Sequence, residues 1–426
     1  MFCTGSYLTL MYVWLVSSSS IDSLGAAGSN ESVVHKSLLQ DYLPILTEKG
    51  KAVQDNFCVR GLDGRRRTSY WRYNDQVFPG LADVFGSQDA HVISILNLRS
   101  EVCSTCRNTS WSSATWTCSF LDANNGHKLK ATGHAIARDP HRLSLVVKCA
   151  IPAAAQTRNM SLTGATRNHT AHYPDITYCS YDQSKDNHPY FLTACTQVNA
   201  QFSHLLPEWV AYHQRQGFQH FYIYANGHGR HVRWLMHPFV RTGIVDIIDW
   251  DLPSPRGATF VHQVSQENSC IQRFARRSKW VGLMDVDEFF HTAGGNNGAT
   301  VASWLHSQSE TNIHGGFQVQ SCFWGSATEQ SEQARLDVLS PSTLGRYKFR
   351  APAAETDSRQ KCIVRPDNVY YFSVHMITSG GTMLQPDPNS DIRVAHFKLP
   401  SQHVYDVYDS SLSQWASVVE QDLQLM

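Results

Sequence analysis

Asp285-Val286-Asp287-Glu288-Phe289 places Asp285, Asp287 and Glu288 directly after the apolar run Trp280 to Met284. Two carboxylates at i and i+2 beyond a strand end can jointly hold one hard divalent cation, Mg²⁺ or Mn²⁺, that keeps coordination sites for diphosphate oxygens. Such an ion neutralises a diphosphate as it leaves. A chain of this length contains about one Asp-x-Asp by chance, and the pattern recurs here as Asp249-Trp250-Asp251. Only the first pair runs from an apolar strand into a second apolar pair, Phe289-Phe290. Asp249 and Asp251 read instead as strand-end solvation or loop capping. Glu288 reads as a partner that orients the aspartates, or as a cap of the turn.

The elements that must position this cluster alternate strand and helix. Tyr190 to Val198 suits a buried strand, Pro207 opens a helix, and Gly217 closes it at a C-cap position. Phe218 to Ala225 is the next strand. After Asn226-Gly227 a helix sets Val232, Leu235, Met236, Phe239 and Val240 on one face and ends at Gly243. Ile244 to Trp250 is a third strand, Thr259 to Ser278 a longer helix, and Trp280 to Met284 a fourth strand. Strands separated by amphipathic helices imply a mostly parallel sheet with helices on both faces, which binds ligands at the C-terminal strand ends. Trp209 and Tyr212 stand at helical spacing, so core packing outweighs sugar stacking.

Pro207-Glu208-Trp209-Val210-Ala211-Tyr212-His213, Phe221-Tyr222-Ile223-Tyr224 and the acidic turn occur in an order that resembles glycosyltransferase family 92. Lys361-Cys362-Ile363-Val364-Arg365-Pro366, Val374-His375 and Ala395-His396-Phe397 resemble its later blocks, and the likeness covers about residues 188 to 398. The resemblance implies an α/β GT-A fold, a UDP-sugar donor, Mn²⁺ dependence and an inverting transfer, often of galactose, to a glycan acceptor in the Golgi. Nucleotide-sugar binding falls to Asp285, Asp287 and Glu288, and Arg365 reads either as a bidentate donor to the diphosphate or as the partner of a structural carboxylate. Metal binding falls to Asp285 and Asp287 with a late histidine, His375 first and His396 second. The chain departs from the family at Gln197-Val198-Asn199, usually basic-Asn-Glu, and at Ala225, usually acidic. Inversion needs a general base; Glu329, Asp337 and Glu355 are candidates, alongside Glu332 and Asp357. Two other readings stand beside this one: a secreted glycan-binding protein without catalysis, and a glycosidase using Asp287 with Glu288.

Composition sets bounds on all of this. The 426 residues are 42% hydrophobic and 17% charged, which suits a large core and two domains rather than disorder. The 36 basic and 36 acidic side chains balance, so no global field draws nucleic acid or an anionic membrane. Tyr7 to Val16 has the length of a signal-peptide apolar region, shorter than a bilayer span. Residues 1–24 therefore read as a signal peptide or a truncated membrane anchor. Residues 25–175 read as a β-rich stem with sequons at Asn30, Asn108, Asn159 and Asn168, and residues 176–426 as the transferase domain. Strands are expected at His91 to Leu98, Ser110 to Leu121 and Leu143 to Ile151. Eleven cysteines point to disulfides, and Cys103-x-x-Cys106 lacks a second close pair to make a zinc site. The address implied is the secretory pathway, as a Golgi-lumenal or secreted protein.

Overall fold

The computed structural model describes residues 80–86, 91–97, 111–136, 144–178, 188–250, 261–274, 277–293, 299–308, 315–327, 342–352, 359–397 and 404–426. Tyr7 to Val16, Asn30, Cys103, Cys106 and Asn108 lie outside them. Within the described residues the fold is mixed α/β. Its first sheet is antiparallel and runs in the order β1(Gly80–Gly86)-β2(His91–Asn97)-β5(Ser144–Ala150)-β4(Lys128–Ile136)-β3(Thr115–Asp122)-β6(Ala155–Ala165)-β7(Thr170–Thr177). A short 3₁₀ turn, Trp111–Ser113, replaces the start of the strand expected from Ser110. Alternation explains the sheet: Trp116, Cys118 and Phe120 of β3 are buried side by side with Leu145, Val147 and Cys149 of β5. The Cys118–Cys149 disulfide joins these strands over β4 at Gly133, where a Cβ would come within 2.8 Å of Trp116 Cβ. Asn159 and Asn168 are exposed.

The second sheet runs β10(Val245–Asp249)-β9(His220–Ala225)-β8(Tyr190–Val198)-β11(Ser278–Leu283)-β16(Lys361–Val364)-β13(Gly316–Val319)-β19(Met383–Leu384). Its first four strands are mutually parallel, whereas β16 is antiparallel to both β11 and β13. The expected parallel sheet is thus realised in β8 to β11 and continued by strands of opposite direction. Phe221 and Ile223 point into one core with Trp209, Val232 and Phe239, while Tyr222 and Tyr224 point into the other with Val264, Ile271 and Phe274. Helices therefore cover both faces, namely α1(Leu206–Arg215), α2(Gly229–Leu235) and α3(His237–Thr242) on one and α4(Val261–Phe274) on the other.

The single helix expected between Asn226 and Gly243 is in fact α2 and α3, with Met236 between them and Pro238 near the start of α3. Proline has no N–H for the ladder and its ring collides with the preceding turn, so the helix breaks. Val240, expected on the buried face, is exposed as a result. The chain reverses out of α3 through Gly243 at φ +79°, a left-handed conformation that glycine adopts at little cost.

A third sheet, β12(Glu288–Thr292)-β20(Ile392–His396)-β14(Ser321–Ala327)-β15(Phe349–Arg350)-β22(Val407–Tyr408), carries β21(Val404–Tyr405) beside β14. The hairpin β17(Val369–Ser373)-β18(Met376–Gly380) stands apart from it. Two further short helices, α5(Val301–Ser307) and α6(Thr343–Arg346), precede a C-terminal helix, α7(Ala416–Gln424). Glu208 of α1 accepts hydrogen bonds from the Ser342 hydroxyl at 2.5 Å and from the N–H groups of Thr343 and Leu344 at 3.0 and 3.1 Å. One carboxylate so satisfies the free donors at the start of α6. Glu208→Ala leaves those N–H groups without this partner and lowers stability by about 1–3 kcal/mol. A melting temperature within a degree of wild type contradicts that role.

Candidate functional site

The acidic turn sits where β11 leaves the sheet. Because β11 runs parallel to β8, with Leu283 opposite Cys195, the turn emerges at the edge shared by the C-terminal ends of β8, β9 and β10. It is locked internally: the Glu288 N–H donates to the Asp285 carbonyl at 3.1 Å, and the Asp285 N–H donates to Glu288 Oε2 at 2.9 Å. Glu288 is thus the cap of the turn, 1% exposed. Helix α1 fixes β12 behind it. Trp209 Nε1 donates to the Glu288 carbonyl at 2.9 Å and the Tyr212 hydroxyl to the Phe290 carbonyl at 3.1 Å. Both rings are fully buried and serve packing and position, not sugar stacking.

His213 completes this clamp, donating from Nδ1 to the Trp209 carbonyl at 2.8 Å and accepting the Phe290 N–H at Nε2, 3.3 Å away. Burial lowers its pKa to about 3, and burial with the Arg393 guanidinium lowers that of His291 to about 3. Folded-state values below the ordinary 6.5 mean that the unfolded chain binds more protons. The stability these rings contribute is therefore complete above pH 6.5 and is lost as pH falls toward 3, by about 1.4 kcal/mol per pH unit for each ring. His213→Gln is expected to flatten the decline of the urea midpoint between pH 6 and 4.5 relative to wild type; equal slopes contradict it.

Lys361 is the residue that sequence reasoning missed. It begins β16, one residue before Cys362, which pairs with Leu283. Its ammonium lies 2.6 Å from Asp285 Oδ2 and 3.1 Å from Glu288 Oε2, with a side chain only 4% exposed. Burial alone would lower the lysine's pKa, but Asp285 and Glu288 raise it far above the usual value, so the ammonium stays charged. In turn it outweighs burial at Asp285 and holds that carboxyl below the usual range. Gln263 of α4 donates to the other oxygen, Asp285 Oδ1, at 3.1 Å. The Cys195–Cys270 disulfide ties β8 to α4, which also carries Glu267. Burial pushes the Glu267 carboxyl up to about 8 against the pull of Lys361.

The two histidines expected at the site differ in chemistry. His375 Nδ1 donates to the Gln360 carbonyl at 2.6 Å, and burial and Lys361 lower its pKa, leaving Nε2 with a free lone pair. It follows Val374, which is held at φ +40° between β17 and β18. A β-branched residue there is strained, and such strain persists only where the surroundings enforce it. The Glu267 carboxyl group does so by accepting the Val374 N–H. His396 stands opposite Glu288 in the β12–β20 pair, with Nε2 3.7 Å from Asp287 Oδ2 and Nδ1 3.4 Å from Glu288 Oε1. Burial would lower its pKa, but Glu288 and Asp287 prevail and raise it. Without a bound ion, His396 is thus a charge partner of Asp287 and Glu288.

Arg365 stands away from the acidic turn. It follows β16 at the end opposite Lys361, and its guanidinium lies 5.8 Å from the centre of the Trp280 ring. Four residues along a strand is about 13 Å, so the cation at the carboxylates is Lys361, not Arg365. Asp249 pairs with Arg233 at 2.7 Å and faces the start of α2 at Gly229, where a Cβ would lie 1.8 Å from its Oδ1. That is a strand-end role, as expected; Asp251 lies outside the described residues, as do Glu329, Glu332, Asp337, Glu355 and Asp357. Gln197 is half-buried near the end of β8 and Ala225 fully buried at the end of β9.

Among the described residues, no three His, Cys, Asp or Glu side chains converge as a preformed metal cage. The donor set still fits a hard divalent ion that arrives with a diphosphate, since such ions take one or two carboxylates and complete their shell with phosphate oxygens and water. Asp285, 41% exposed, and Asp287, 17% exposed, reach solvent from the turn.

The profile of glycosyltransferase family 92 matches residues 188–419, more than half of the chain. A family 92 protein of Oryza sativa subsp. japonica is 26% identical over 41% of this chain and 27% of its own length. One from Ricinus communis is 31% identical over 26% and 18%. An Arabidopsis thaliana protein named galactan beta-1,4-galactosyltransferase is 24% identical over 45% of this chain and 37% of its own length. The chain thus spans well under half the length of each of these relatives. Among solved structures, the bifunctional glycosyltransferase WbbM in its apo form covers 35% of this chain and 27% of its own at 9% identity, with a TM-score of 0.23, too slight a likeness to inform the fold.

Proposed function

The chain belongs to glycosyltransferase family 92, and on that premise we propose that it transfers a sugar, galactose in the first instance, from a UDP-sugar to a glycan hydroxyl on a GT-A-like fold. The observation that carries this reading is the turn Asp285 to Glu288 at the C-terminal edge of four parallel strands, where an α/β sheet binds its ligand. Asp285 and Asp287 would hold a divalent ion, Mn²⁺ or Mg²⁺, with the lone pair of His375 as a further donor. When bound, the ion supplies positive charge to the leaving diphosphate. The Lys361 ammonium keeps Asp285 ionised and Glu288 fixes its backbone N–H, which preorganises the site before the donor enters. The acceptor hydroxyl attacks the anomeric carbon opposite the diphosphate and gives its proton to a base, for which Glu329, Asp337 and Glu355 are the candidates.

The test is product analysis. With UDP-galactose and a galacto-oligosaccharide acceptor, an inverting enzyme gives a β-linked product from the α-linked donor; an α-linked product rejects inversion. Non-catalytic glycan binding is the competing reading, favoured by one observation: both oxygens of Asp285 already have partners, Lys361 and Gln263. Acceptor binding with no UDP released would select it. Passage through the secretory pathway to the Golgi lumen is part of the proposal, supported by the Cys118–Cys149 and Cys195–Cys270 disulfides and by the exposed sequons Asn159 and Asn168.

A further inference from the structure

Residues 226–244, which form α2, α3 and their flanking turns, contain Arg230, Arg233, Arg241, His228, His231 and His237 and neither Asp nor Glu. In a chain whose acidic and basic groups balance, that is a marked local excess. The apolar side chains Val232, Met236 and Phe239 are spent in the core, which leaves His228, Arg230, His231 and Arg241 exposed on the opposite side. Trp234 lies among them, 59% exposed, with the His231 ring stacked at 6.2 Å and 26°. The other described tryptophans are buried or half-buried. Arg233 is held by Asp249 at 2.7 Å, so the first turns of α2 are anchored to the end of β10.

This combination has a chemical partner. An exposed indole offers a flat apolar face to the hydrogen-bearing face of a pyranose ring, and guanidinium groups beside it recognise planar or tetrahedral anions through paired hydrogen bonds. The surface also starts on the substrate side of the sheet and runs away from it, since α3 leads through Gly243 into the N-terminal end of β10. Helix α2 starts from the C-terminal end of β9, two strand places from β11, about 10 Å along the edge that holds Asp285. We propose that the α2–α3 face is an acceptor subsite for an anionic glycan, one bearing carboxylate or sulfate groups. The acceptor role rests on the transferase reading above; the binding chemistry does not. A membrane surface is the weaker fit, because an interfacial helix needs its apolar face free for lipid, and here that face is buried in the core.

The test uses the full chain secreted from eukaryotic cells, with binding to polygalacturonate, heparin, neutral galactan and phosphatidylserine vesicles measured at low and high salt. Wild type is expected to bind a polyanionic glycan in a salt-sensitive way. R230E/R241E should weaken binding about tenfold or more, in line with the loss of two charge-assisted contacts, and Trp234→Ala should weaken it with the melting temperature unchanged. Acceptor-free hydrolysis of the UDP-sugar, measured alongside, should be unaltered in both variants. Equal binding by R230E/R241E, or binding to vesicles alone, overturns the proposal while leaving the transferase reading intact. Donor hydrolysis absent from a wild type that still binds the glycan overturns the acceptor role through failure of that reading. Preference for polygalacturonate or for heparin identifies the anion as carboxylate or sulfate.

Discussion

Replacing Asp287 by Asn is expected to lower sugar transfer by about 10²- to 10⁴-fold, a barrier increase of about 3–5 kcal/mol, with little change in melting temperature. The reason is placement. Asp287 is 17% exposed and pairs with His396 only at 3.7 Å, so the fold draws little from it. Its charge is left for the donor. Asp285→Asn should abolish activity to a similar degree but also disturb Lys361, which it contacts at 2.6 Å. Parallel measurement of transfer rate and thermal unfolding separates the two. A variant Asp287→Asn that transfers sugar at the wild-type rate removes the aspartate from the chemistry.

Lys361→Met is expected to be the most destabilising single change at the site. The ammonium is almost fully buried beside Asp285 and Glu288 and also interacts with Glu267. Taking away a buried ion's partner leaves uncompensated charge and costs about 3–5 kcal/mol, which in a chain of this size lowers the melting temperature by roughly 5 °C. Removing the carboxylates together with the cation should restore part of the loss, so Lys361→Met combined with Glu288→Gln and Glu267→Gln should melt above Lys361→Met alone. If the triple variant is the least stable of the set, the lysine is not serving as their counter-charge.

The candidate site could be read unevenly from the sequence, and the reasons are local. The acidic turn stood out because an apolar strand runs straight into it, and Trp209 and Tyr212 declared themselves as core by helical spacing. Lys361 did not, because one lysine ahead of Cys362-Ile363-Val364 looks like a strand edge in water. The signal was present in the company it keeps, since every other residue of β16 is apolar or sulfur-bearing. Arg365 drew attention instead, and only the antiparallel register of β16 against β11 shows which end of the strand meets Asp285. The same limit applies to the sheet. Strands β8 to β11 follow one another with helices between, so their parallel order shows in the pattern, whereas β13 and β16 lie far apart in sequence and are joined by pairing that periodicity does not encode. Pro238 was the one strong local cue left unused, and it divides α2 from α3.

The measurement that goes most directly to the role of the acidic turn is thermal unfolding with UDP release, for wild type and Asp287→Asn, with and without Mn²⁺. The donors are UDP-galactose, UDP-glucose, UDP-N-acetylglucosamine and GDP-fucose. One UDP-sugar should stabilise the wild type in the presence of the metal and be turned over, and Asp287→Asn should show neither effect. A well-folded wild type that no donor stabilises, or an Asp287→Asn protein that responds as the wild type does, contradicts the assignment of this turn as the donor site.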